Sequence, residues 1–172
     1  AGKLQPELYR KLIMINPNNI DMIKQTPDRN SNRLFILFSI PVIGTMLYHL
    51  STCKTNIQLL IKEKLFHNAH KSETVYADVC YEASHKCNSK GKYLFASLMG
   101  HYLCSDPSLA LKEGLKDIHI ILGDSIKNSH ETINEYKKLC PDVSVTKIAD
   151  SRMLPHVEKC NETFQMITEI LD

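Results

Sequence analysis

The residue best placed for proton-transfer chemistry is His156, in Pro155-His156-Val157-Glu158. It stands on a loop behind an apolar run and just ahead of a last helical stretch. An imidazole there has the backbone freedom to swing toward a nucleophile and relay its proton. A second group is Leu122-Gly123-Asp124-Ser125-Ile126, where a glycine, a carboxylate and a hydroxyl directly follow an apolar run. His67 and His70, flanked by Glu63 and Glu73, could share a helix face and mimic a metal site, but an exposed polar face is the simpler reading. His119 lies inside an apolar run and reads as a packing residue, while His49, His85, His101 and His130 carry no supporting pattern. No metal ligand set and no cofactor is called for.

The elements that must hold these groups follow from hydrophobic patterning. Lys11-Leu12-Ile13-Met14-Ile15-Asn16-Pro17 is a short run rich in β-branched residues, ended by Asn-Pro, and predicts a strand buried on both faces. Ile118 to Gly123 predicts a second strand, and Val143 to Ile148 a third. Between the last two, Ser129 to Leu139 predicts a helix with Ile133, Tyr136 and Leu139 on one face. A final helix from Asn161 to Leu171 carries Phe164, Ile167, Ile170 and Leu171 as its apolar stripe. Strand, helix, strand, loop, helix is the rhythm of a parallel α/β sheet.

Roughly a hundred residues separate the first two strands, too many for a structureless connection. Their pattern is helical over Arg33 to Leu50, Ile57 to Phe66, Ser72 to Cys87 and Lys92 to Cys104. An all-helical insert of this kind can cap the carboxyl ends of the strands, where ligands bind in such sheets. Leu34 to Cys53 holds no formal charge and reaches the length of a membrane span, yet Pro41, Gly44, Thr45 and His49 interrupt it. A buried cap helix kinked at Pro41 is the expectation, with a cap face touching an acyl chain or lipid as the intermediate case.

Composition bounds the function. The chain has 172 residues, 43% hydrophobic and 23% charged, which suits one soluble domain with a sizeable core. Its 21 basic and 19 acidic side chains leave a formal charge of +2 without a basic run, so nucleic acid is a poor partner. Six cysteines lie far apart without metal-site spacing, which predicts reduced thiols and a cytoplasmic setting. The opening Ala1-Gly2-Lys3-Leu4-Gln5-Pro6 holds no signal-peptide apolar stretch and no Met, and predicts an upstream segment removed or carried by another chain. Only 6 glycines are present, so phosphate loops and nucleophile turns have little to be built from.

Gly123-Asp124-Ser125 behind a strand resembles the nucleophile block of the Gly-Asp-Ser-Leu esterases, which would make Ser125 a nucleophile with His156 as its base. That family's Gly-x-Asn-Asp block is missing, and Asp150 to His156 is longer than its Asp-x-x-His, so Ser125 reads better as a turn residue. The order of the whole chain resembles the carboxyl-terminal part of an α/β-hydrolase, from its sixth strand through its last helix. The carrying segments are Leu8 to Pro17, Ile118 to Gly123 and Leu154-Pro155-His156-Val157-Glu158. The implied fold class is α/β, a partial parallel sheet of an α/β-hydrolase fold with an all-helical cap insertion. Its core would be 1–17 and 115–172, and its cap 18–114.

That resemblance implies roles. His156 falls at the family's catalytic histidine, a general base and then a general acid. Asp124 is the only carboxylate within a few residues of Gly123, two residues ahead of Ile126, where the family's commonest spacing puts the acid, and a site near Asp21 after the first strand is the variant choice. Phe35, Phe38, Val42, Met46 and Tyr48, with Ile40, Ile43 and Leu47, would shape an acyl pocket, although helix packing accounts for most of them singly. No Gly-x-Ser-x-Gly can be written with the glycines present. The chain is therefore expected to need a complementary amino-terminal segment or subunit carrying the nucleophile. With it, the expected activity is that of a serine hydrolase acting on an ester, thioester or amide of a small or acyl substrate. The rival is a non-catalytic binding or interaction protein on the same framework.

Overall fold

The computed structural model describes residues 11–68, 73–86, 88–113 and 117–172. They divide into two compact units. The first takes in the described residues of 1–24, 64–68 and 106–172, and the second those of 25–63 and 69–105. In the first unit β1 (Leu12–Ile15) is followed by the short α1 (Ile20–Ile23). The second unit contributes α2 (Arg29–Ser39), α3 (Pro41–Ser51), α4 (Lys54–Leu60), α5 (Glu73–His85) and α6 (Gly91–Met99). A π-helical turn, Ile61–Leu65, leads out of α4. The first unit resumes with α7 (Ser108–Glu113), β2 (Ile118–Gly123), α8 (Ser129–Leu139), β3 (Ser144–Ile148), α9 (Pro155–Glu158) and α10 (Cys160–Leu171).

The three strands form one parallel sheet in the order β1-β2-β3, with Leu12 opposite Ile118 and His119 opposite Ser144. The central strand is buried almost throughout, as its continuous apolar run requires. Ile118, Ile120 and Leu122 join Ile20, Leu111, Tyr136 and Val143 in the core, and Leu12, Met14, Ile133 and Leu139 pack against it. The expectation that β1 is buried on both faces is corrected. All four of its residues are half-buried, because among the described strands it pairs on one side only. The α10 stripe is corrected as well: Phe164 and Leu171 are exposed, and Ile167 and Ile170 half-buried.

The kinked helix expected over 33–50 is two helices, α2 and α3, whose axes meet at 100°. Pro41 explains the break, since it forbids the helical amide bond and serves instead at the first turn of α3. Two contacts fix the angle. A Cβ on Gly44 would lie 2.0 Å from the carbonyl oxygen of Phe38, so only glycine lets the helix ends approach. The buried Lys92 of α6 donates from Nζ to the carbonyls of Ile40 (3.3 Å) and Pro41 (3.1 Å) and to Thr45 Oγ1 (3.0 Å). At its other end α2 has a capping box, Asp28 Oδ1 accepting from the Ser31 amide (2.7 Å) and Ser31 Oγ from the Asp28 amide (2.8 Å). Among the described residues no single helix is long and apolar enough to cross a membrane.

Candidate active site

Parallel strands send their following loops out at one edge, the edge where α/β sheets gather ligands. Three loops meet there, and backbone geometry locks them. Asn16 has φ 44°, a left-handed conformation that asparagine tolerates. Its Nδ2 donates to the carbonyls of Arg152 (2.8 Å) and Met153 (2.6 Å), while its Oδ1 accepts from the amide of Gly123 (3.1 Å). The loops behind β2 and β3 are joined directly, Asp124 N–H to Ile148 O at 3.0 Å and Ser125 N–H to Ser151 O at 3.1 Å. Gly123 is obligatory at this crossing, because a Cβ would stand 2.2 Å from the carbonyl oxygen of Arg152.

Asp124 is exposed, and its Oδ1 accepts from Ser125 Oγ (2.9 Å) and the Ser151 amide (3.4 Å). The Ser125 hydroxyl first, then the amides of Asp150 and Ser151 and the charge of His67, hold its carboxyl below the usual carboxylate range. His156, expected on a loop, is instead the second residue of the short helix α9, where Pro155 opens the first turn, and it is exposed. It makes no hydrogen bond to another described residue, and none joins it to Asp124. The loops behind β2 and β3 are thus joined through their backbones, without a hydrogen bond between the two side chains. The Ser125 hydroxyl spends its hydrogen on a carboxylate instead of a base. Asp21 lies in the first turn of α1, exposed, its amide held by Asn19 Oδ1 at 2.9 Å. His70 lies outside the described residues.

The role of Glu158 was invisible to sequence reasoning. Its Oε2 accepts from the Arg152 amide (2.7 Å) and its Oε1 from the amides of His67 (2.5 Å) and Asn68 (3.4 Å). One carboxylate therefore fastens the helix bearing His156 to the segment 64–68, whose Leu65 carbonyl accepts from the Met153 amide at 3.0 Å. Residues so distant in sequence leave no local signal. A groove of about 560 Å³ also opens at the carboxyl ends of β1 and β2, with Asn16, Asn19, Asp21, Lys127, Glu131 and Glu135 among its walls. Asp124 and His156 do not line it.

The residues expected to meet an acyl group lie within the helical unit and separate into two sets. Phe38 and Tyr48 are buried, their rings 5.0 and 6.0 Å from that of Phe95, and Tyr48 donates its hydroxyl to Ser84 O at 2.6 Å. Phe35 is half-buried against Tyr102 at 4.7 Å. These three hold the unit together. Val42 and Met46 are 78% and 63% exposed.

No protein-family model matches the sequence, and no similar curated protein was found. Solved structures do match. The 2-hydroxy-6-oxo-6-phenylhexa-2,4-dienoate hydrolase of Rhodococcus sp. strain RHA1 superposes with a TM-score of 0.66 at 12% identity, covering 98% of this chain and 57% of that one. An α/β-hydrolase enzyme from a Medee basin deep-sea metagenome library gives 0.61 at 7% identity, covering 99% and 58%. A carboxylesterase structure from Nitrososphaera gargenis gives 0.53 at 17% identity, covering 94% and 55%. The fold is that of the later part of an α/β-hydrolase, and the chain spans just over half the length of these structures.

Proposed function

We propose that this chain is the acid- and histidine-bearing part of a serine hydrolase acting on an ester, thioester or amide of a small or acyl substrate. A complementary amino-terminal segment or subunit supplies the nucleophile and the oxyanion donors. The single observation that supports this reading is the pair of amide bonds joining the turn that bears Asp124 to the loop behind β3, which leads on to His156. In the reaction the serine of the companion part attacks the carbonyl. His156 takes the serine's proton and returns it to the leaving group, and Asp124 orients the imidazole and balances its charge. Of the pocket candidates Ile40, Val42, Ile43 and Met46 are exposed, and they are the expected acyl contacts. The thiol-rich composition suits a cytoplasmic setting.

The companion part is also motivated by what β1 and α10 leave open. An edge strand and the exposed Phe164 and Leu171 are surfaces that water tolerates poorly. A binding protein is the second reading, favoured by one observation: Asp124 is already engaged by Ser125 and Ser151, and no hydrogen bond joins it to His156. The test is turnover of the chain assembled with the proposed companion part. His156→Ala should lower kcat roughly ten-thousandfold or more with substrate binding kept. Unchanged turnover removes His156 from the mechanism, and an assembly that binds but never turns over gives the second reading. Labelling by a fluorophosphonate at Ser125 would instead favour the Gly-Asp-Ser esterase alternative.

A further inference from the structure

Within the helical unit, His49 of α3 and His85 of α5 meet ring to ring. Nδ1 of His49 lies 3.2 Å from Nε2 of His85, and the ring centroids are 5.1 Å apart. The tautomer of His85 is set by its other nitrogen. Nδ1 stands 2.9 Å from the carbonyl oxygen of Tyr81, which can only accept, so Nδ1 carries the hydrogen. Ser84 Oγ, itself donating to Tyr81 O at 2.8 Å, lies 2.9 Å from the same Nδ1 and is its second acceptor. Nε2 of His85 is therefore a bare lone pair aimed at His49. In the chain as described, His49 fills it by donating from Nδ1.

We propose that this pair is a binding site for a borderline divalent metal ion, zinc(II) or copper(II), which bridges α3 and α5. Three features converge. Two nitrogens bonded to one ion at about 2.0–2.1 Å, at tetrahedral or square-planar angles, stand about 2.9–3.4 Å apart, which brackets the observed separation. Imidazole suits these ions, and a ligating histidine commonly donates its remaining N–H to a backbone carbonyl, as His85 does to Tyr81. Both side chains are half-buried, so an ion can enter and water can fill the remaining positions. Among the described residues no third histidine, cysteine, aspartate or glutamate joins them, which makes this a two-imidazole site completed by solvent. On binding, the His49 hydrogen leaves Nδ1 and a hydrogen is taken up at Nε2 through solvent. Two dative bonds then replace one hydrogen bond, with no net proton change.

The test is titration of the chain, its thiols alkylated, with zinc(II) chloride, followed by imidazole ¹⁵N NMR. His49 should switch from the Nδ1–H to the Nε2–H tautomer while His85 stays Nδ1–H, both saturating together. His49→Ala and His85→Ala should each weaken this binding by about tenfold or more. An unchanged His49 tautomer at saturating zinc overturns the proposal. So does zinc affinity in both variants equal to the parent's.

Discussion

His119 shows how one side chain sets a pH dependence. It sits in the central strand with Nε2 2.8 Å from Thr146 Oγ1 of β3. Burial lowers its pKa; the charge of Asp117 opposes that shift and Lys11 adds to it. The folded state therefore resists a proton that the unfolded chain accepts from about pH 6.5 downward. The sign follows: stability is full above that value, falls as pH drops through the window down to the lowered pKa, and levels off below it. His119→Gln keeps a hydrogen-bonding group and removes the titration. Urea midpoints measured across pH 5 to 7 should have a flatter acid limb in this variant than in the parent, and equal limbs would show that other groups carry the slope. At the same scale, the turn of Asp124 behind β2 was legible because a glycine closes an apolar run, whereas the loop expected around His156 is the short helix α9, which Pro155 opens. The role of Glu158 was not legible, because its amide partners at 67 and 68 are reached only by the fold.

Among the elements, the bend between α2 and α3 is held in part by one ammonium. Lys92 is buried, and its three acceptors all lie at the junction of the two helices. Lys92→Met keeps the aliphatic stem but leaves carbonyl oxygens in an apolar place without that donor. The cost should be about 2 kcal/mol, or roughly 4–8 °C of melting temperature for a chain of this size. Thermal unfolding by circular dichroism checks it, and a variant melting with the parent would assign the angle to Pro41 and Gly44 alone. This bend also marks where sequence reading stopped. The apolar stretch and Pro41 were plain, but whether a proline kinks one helix or separates two depends on Gly44 meeting the Phe38 carbonyl and on a lysine distant in sequence. By contrast α8 was expected over Ser129 to Leu139 and is found at Ser129–Leu139, since its buried face recurs with helical period against a continuous strand. The β1 and α10 expectations failed for a shared reason: periodicity reveals which residues are apolar, and neighbours decide which of them are covered.

For the molecule as a whole, the sheet gives a gradient of protection. The amides of Leu12 and Asn16 point at β2, so by strand alternation those of Ile13 and Ile15 point away from it, toward an edge that no described strand pairs. Amide hydrogen exchange on the chain alone should run about a hundredfold or more faster at Ile13 and Ile15 than at the fully buried Ile120 and Ile121. Addition of the companion part should slow the first pair and leave the second unchanged. Equal protection from the outset would mean that the edge is already covered. The division into units carries one more consequence. The polypeptide leaves the sheet unit after Lys24, returns for Lys64–Asn68, departs again and comes back at Asp106. Transplanting the helices onto another scaffold would thus take two inserts instead of one. A chimera recombined at a single pair of crossover points would strand a five-residue stitch, the one that Glu158 fastens, on the wrong parent.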